Sequence, residues 1–124
     1  MAFTLERYGS NADVQISVRE NDTGYVQFVL ETNGTAINVT GFTRVTLRMR
    51  DKRGNITSFA SDAGSPRMFV TGATTGEVEL RPIASDFLHS RTPYECYIDV
   101  YPTTIRRYSV PQYGPFFINV FEEF

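Results

Sequence analysis

Apolar and polar residues alternate through most of this chain, with the period of a β-strand. The clearest case is Thr43 to Arg50, where Val45, Leu47 and Met49 face one way and Arg44, Thr46, Arg48 and Arg50 the other. One buried face and one wet face is what a strand on the surface of a core requires. Asp13 to Arg19 repeats the pattern, with Val14, Ile16 and Val18 on one side. Tyr25 to Leu30 is less clean, because Tyr25 and Val29 oppose Val26, Phe28 and Leu30. Such a strand suits cover on both faces, by the core and by a partner. Pro93 to Tyr101 sets Tyr94, Cys96, Ile98 and Val100 against Glu95, Tyr97, Asp99 and Tyr101. Phe116 to Phe121 sets Phe116, Ile118 and Val120 against Phe117, Asn119 and Phe121.

Turn chemistry separates these runs. Asn33-Gly34 is the strongest hairpin signal, and Gly24, Gly41, Gly54 and Gly76 mark other reversals. Between them lie shorter runs at Ala36 to Val39, Ile56 to Ala60, Arg67 to Thr71, Glu77 to Arg81 and Ile105 to Val110. Residues 83–90 are the only helix-like piece, and the spacing of Ile83, Phe87 and Leu88 supports one or two turns. The total is about eight or nine short strands, spaced as all-β sandwiches space them. Short loops between consecutive strands predict antiparallel pairing. Residues 1–12 read as an arm or a leading strand ahead of a sandwich domain spanning 13–124. Phe3, Leu5 and Tyr8 would anchor that segment to the core or to a neighbouring subunit, and Gly9-Ser10-Asn11 reads as a break.

Composition narrows the function classes. At 124 residues the chain is long enough for one packed core, and ten Phe and seven Tyr favour strands. A net charge of −2 argues against general attraction to nucleic acid or membrane, despite the basic cluster of Arg44, Arg48, Arg50, Lys52 and Arg53. One cysteine excludes an internal disulfide. The N-terminus has no secretory pattern, and no apolar run approaches the length of a membrane span.

Candidate chemistry is sparse. His89 is the only histidine, which removes multi-histidine metal sites and leaves no nucleophile elbow around it. Cys96 lies on an apolar strand face and reads as a small hydrophobe. Asp99 with Glu95, or Asp62 with Asp86, are the conceivable carboxylate pairs, and nothing in the sequence brings them together. No phosphate-binding or dinucleotide-binding motif is present, so no cofactor and no enzymatic activity are expected. Exposed Tyr and Arg favour a protein interface instead.

The segment from Asp13 to Asn55 resembles the N-terminal domain of the tailed-phage baseplate upper protein family. The likeness rests on the Asn21-Asp22-Thr23-Gly24 turn, the Asn33-Gly34 turn and the Ile37-Asn38-Val39-Thr40-Gly41 element. The strand carrying Val45, Leu47 and Met49 follows. A looser match continues through Gly76-Glu77-Val78, the strand near Tyr94 and the closing Phe116 to Val120 strand. The resemblance implies an Ig-like antiparallel β-sandwich of about 7–9 strands. It also implies a structural virion protein of a tail, baseplate, neck or capsid surface, made in the bacterial host cytoplasm. Its partners would be other virion proteins, in a homo-oligomer or multi-copy array. Candidate contacts are Phe3, Leu5, Tyr8, Arg44, Arg48, Tyr97, Tyr101, Phe117 and Phe121. The other reading is a carbohydrate- or host-receptor-binding module, which predicts an aromatic platform beside carboxylates in a pocket.

Overall fold

The computed structural model describes residues 2–9 and 14–122. The expected break at Ser10-Asn11, and Asp13, fall outside them. In chain order the strands are β1 (Ala2–Glu6), β2 (Gln15–Arg19), β3 (Val26–Thr32), β4 (Thr35–Ala36), β5 (Arg44–Arg50) and β6 (Ile56–Ala60). Then follow β7 (Met68–Gly72), β8 (Glu77–Leu80), β9 (Tyr94–Tyr101), β10 (Tyr108–Val110) and β11 (Phe116–Phe121). They form two sheets, one ordered β1-β3-β8-β7 with β4 on β3, the other β2-β11-β9-β5-β6 with β10 on β9. The all-β sandwich expected from the alternation is the architecture observed.

Three features refine that expectation. Two pairings are parallel, β1 with β3 and β2 with β11. Both join strands that are not consecutive, so the short-loop argument for antiparallel pairing does not reach them. The helical turn expected within 83–90 is a turn at 84–86 followed by a 3-10 turn at His89–Arg91, and a second 3-10 turn occupies Ala73–Thr75. The returning strand expected from Ile105 starts only at Tyr108. Thr103 Oγ1 accepts the Arg106 N–H at 3.1 Å and holds the chain in a turn, with Ile105 standing in solvent.

The inner faces follow the alternation. Phe28 and Leu30 of β3, Val45, Leu47 and Met49 of β5, Cys96, Ile98 and Val100 of β9, and Phe116, Ile118 and Val120 of β11 are all buried. Phe28 and Phe116 meet at 5.5 Å between ring centroids and join the two sheets. Leu5 is fully buried among them, so β1 closes the core of its sheet.

Gly76 illustrates a turn that sequence chemistry dictates. Its φ is +67°, and a Cβ built there would stand 2.5 Å from the Leu30 carbonyl oxygen and 2.9 Å from that of Ile37. Gly41 has a similar φ of +77° but open space around it. Gly41→Ala should therefore cost only the left-handed penalty of about 1–2 kcal/mol. Gly76→Ala should cost clearly more, because backbone must move as well. Denaturant unfolding of the two variants, compared at equal slope, checks the ordering.

Candidate interface surfaces

The outer face of the β2-β11-β9-β5-β6 sheet is where the sequence candidates converge. Register places Arg44 opposite Tyr101, Thr46 opposite Asp99, Arg48 opposite Tyr97 and Arg50 opposite Glu95. Direct cross-strand neighbours on one face interact. Each arginine lies over its tyrosine: the Arg44 guanidinium carbon is 4.1 Å from the Tyr101 ring centroid, and that of Arg48 is 4.8 Å from Tyr97. Arg50 Nε donates to Glu95 Oε2 at 2.9 Å.

Asp99 lies under this cover and is only 1% exposed. Arg48 Nε donates to Asp99 Oδ2 at 2.8 Å, and Ser109 Oγ donates to Oδ1 at 2.6 Å. Arg107 approaches the same carboxylate at 4.0 Å. A buried carboxylate without such partners would be prohibitive. Thr46 is also buried, and its Oγ1 has no hydrogen-bond partner. The wet face predicted for β5 is thus a layer of paired arginine and tyrosine side chains with two buried polar residues among them.

The remaining sequence candidates divide. Phe117 is partly buried on the same outer face, between Glu95 and Gln15 in register, and Phe121 is exposed at the end of β11. Phe3 packs partly buried against the core, and Leu5 lies inside it. Tyr8 joins a separate cluster, where it stands 6.4 Å from Tyr113. Arg7 lies 4.8 Å from the Tyr8 ring and 3.7 Å from that of Tyr108. Arg7 Nε is buried there without a hydrogen-bond partner. Burial raises the Tyr108 hydroxyl above the ordinary tyrosine range, and the Arg7 charge partly opposes this.

A third cluster covers the other sheet. Arg81 stacks 4.0 Å from the Phe69 ring and 5.0 Å from Tyr25, and its Nε donates to Glu79 at 2.7 Å. The Arg81 hydrogen bond, together with that from Gln27, holds the Glu79 carboxyl below the usual carboxylate range against the effect of burial. Neither Tyr113 nor Arg81 stands out in the sequence, since each cluster draws on separated stretches. The apolar Tyr25 and Val29 on the outward side of β3 are the one sequence signal for the third.

The hairpin tip between β5 and β6 is held by Asp51. Its Oδ1 accepts the N–H groups of Arg53 and Asn55 at 2.9 and 3.0 Å, and Arg91 donates to Oδ2 at 2.8 Å. Burial pushes this carboxyl up, but the bonds from Arg91, Asn55 and Arg53 outweigh it and hold the pKa at about 2.

Each carboxylate considered for catalysis is engaged by its own arginine: Asp99 by Arg48, Glu95 by Arg50, Asp62 by Arg44 and Asp86 by Arg67. His89 is exposed, with its backbone N–H donating to Glu20 Oε1 at 3.3 Å. Cys96 is buried, and burial pushes its thiol far above the ordinary range. Among the described residues no group of three potential metal ligands occurs, and no helix is long and apolar enough to cross a membrane. A shallow depression of about 360 Å³ on the outer face is lined by Arg48, Arg50, Ile56, Glu95, Tyr97 and Pro115.

No protein-family model matches the sequence, and no curated protein matches it significantly. A solved structure does match: the N-terminal domain of phage TP901-1 ORF48, 16% identical, with a TM-score of 0.65. The match covers 98% of this chain and 97% of that one. The chain has the fold of that phage domain. The sandwich implied by the turn motifs of residues 13–50 is therefore found in a phage protein, matched over almost the whole length of both.

Asp51 generates a pH prediction. Above about pH 5 the carboxylate is charged in the folded and the unfolded chain, and its bonds contribute fully. Below the ordinary value of 3.8 the unfolded chain takes up the proton first, so the contribution shrinks until pH nears about 2. Asp51→Asn should flatten the loss of stability across that window, as read from chemical unfolding at stepped pH. Asp99→Asn should cost about 2–3 kcal/mol by the same measurement, less than a fully buried pair because the Arg48 side chain is 34% exposed.

Proposed function

We propose that this chain is a non-enzymatic structural component of a tailed-phage virion, of the tail or baseplate type, that works by protein–protein assembly. The observation that carries the reading is the end-to-end fold match with a phage protein domain. The turn motifs at Asn21-Asp22-Thr23-Gly24, Asn33-Gly34 and Ile37 to Gly41, which resemble those of the baseplate upper protein family, support it. The surfaces support it too. Aromatic and arginine side chains are the residues that most often anchor interfaces. Here Tyr97, Tyr101, Arg44 and Arg48 cover one sheet, with Phe117 and Phe121 beside them, and Tyr8 with Tyr113 forms a second patch. Other virion proteins, in a multi-copy array, are the partners these surfaces suit.

The depression lined by Tyr97 and Glu95 favours a second reading, a carbohydrate- or receptor-binding module, since it sets an aromatic ring beside a carboxylate. Mass spectrometry of purified particles separates the two. The chain should appear among the structural proteins and co-purify with a tail protein of the same genome. A chain absent from particles that binds glycans instead overturns the assembly reading. Within it, Tyr97→Ala with Tyr101→Ala should weaken the partner contact at least ~10-fold while leaving the protein folded, as titration calorimetry and circular dichroism would report.

A further inference from the structure

β6 is the outermost strand of its sheet and lacks the devices that usually blunt an edge. Ile56-Thr57-Ser58-Phe59-Ala60 contains no charge and no proline, and it pairs with β5 in unbroken register. The other edges differ: β7 is interrupted by a register shift between Val70 and Gly72, β2 carries Arg19, and β1 carries Glu6.

The phase of the β5–β6 ladder fixes which groups face outward. Asp51 N–H donates to the Asn55 carbonyl at 3.0 Å, and Ser61 N–H to that of Val45 at 2.9 Å. Alternation then turns the N–H and C=O of Thr57 and Phe59 toward β5, and those of Ile56, Ser58 and Ala60 away from it. The Ala60 carbonyl also accepts a 3.3 Å bond from Ala63 N–H and keeps a second lone pair free. Ile56 is 65% exposed beside these groups.

We propose that β6 pairs antiparallel with β6 of a second copy of this chain, about a two-fold axis at Ser58, joining two six-stranded sheets into one. In this register Ser58 faces Ser58 of the second copy and Ile56 faces Ala60, so the hairpin tip before β6 in one copy lies towards the turn that follows β6 in the other. Charge selects this occupant and this direction. Arg53 is exposed in the hairpin tip and Asp62 lies in the turn after Ala60, so antiparallel pairing brings these opposite charges to the same end of the seam, and the symmetry repeats this at the other end. The Asp62 side chain is 46% exposed and holds Arg44 only at 3.7 Å, leaving it able to take a second cation. A parallel pairing would instead set Arg53 against Arg53. Two-fold closure is also the commonest form of self-association.

The pairing deepens the assembly reading, on which it rests for its biological setting. Its test uses the isolated chain, so either can fail while the other stands. Sedimentation up to about 1 mM should show a concentration-dependent dimer. Amide exchange by NMR should slow with concentration at Ile56, Ser58 and Ala60 but not at Thr57 and Phe59. Ser58→Pro removes the central donor from both copies and no bond from its own sheet, so it should weaken the dimer at least ~10-fold. Ser58→Lys, which opposes like charges across the axis without altering the backbone, should do the same if the proline variant fails to fold. Arg53→Asp should weaken the dimer, and adding Asp62→Arg should restore it. A chain that stays monomeric, a dimer indifferent to Ser58→Lys, or exchange protection confined to other strands overturns the proposal.

Discussion

β9 is the constraint on which the rest of this sandwich depends. It pairs with β5 along one edge, and with β11 and then β10 along the other. Its inward residues Tyr94, Cys96, Ile98 and Val100 sit in the core. Its outward residues lie beneath or within the arginine and tyrosine layer. Towards one end of the strand Glu95 still reaches water, but at its middle the paired edges and covered faces close that route. Asp99 at its middle must be neutralised by the protein itself, and Arg48, Arg107 and Ser109 are the groups that do so. Those three arrive on β5, the preceding loop and β10, so strand order in this sheet and compensation of one carboxylate are the same requirement.

How much of this is legible in the sequence depends on the range of each signal. Alternation is local, and it placed Val45, Leu47 and Met49, Cys96, Ile98 and Val100, and Phe116, Ile118 and Val120 on buried faces. It also bounds β11 at the residues observed, and the turn and loop residues on either side do the same for β6. It says which face turns inward but not which strand lies alongside. The parallel neighbours of β3 and β11 therefore stay invisible, because separations of 25 and 102 residues, counted from pairs such as Ala2 with Gln27 and Phe121 with Arg19, carry no turn signature. Ile105 misleads for the complementary reason. It extends an apolar-looking run, yet the hydrogen bond that Arg106 N–H donates to the Thr103 side chain wins over strand propensity.

The candidate surfaces were legible in the same measure. Arg44, Arg48, Tyr97 and Tyr101 belong to two strands whose alternation points them outward, so their convergence needed only the β5–β9 register. The Arg7, Tyr8, Tyr108 and Tyr113 group needs three distant stretches to meet, and no periodicity announces that. What the structure adds is the state of the arginines. Each lies over a ring, and Arg48 is also fixed by a carboxylate, so less side-chain freedom remains to be lost when a partner docks.

The parallel pairing of β2 with β11 has a mechanical side. Gln15 to Arg19 runs in the same direction as Phe117 to Phe121, residue beside residue. Tension entering the chain ahead of Gln15 and leaving it after Phe121 pulls these two strands lengthwise past each other. The hydrogen bonds between them then share the strain at once instead of opening singly from one end, as the bonds of a hairpin do when its two free ends are drawn apart.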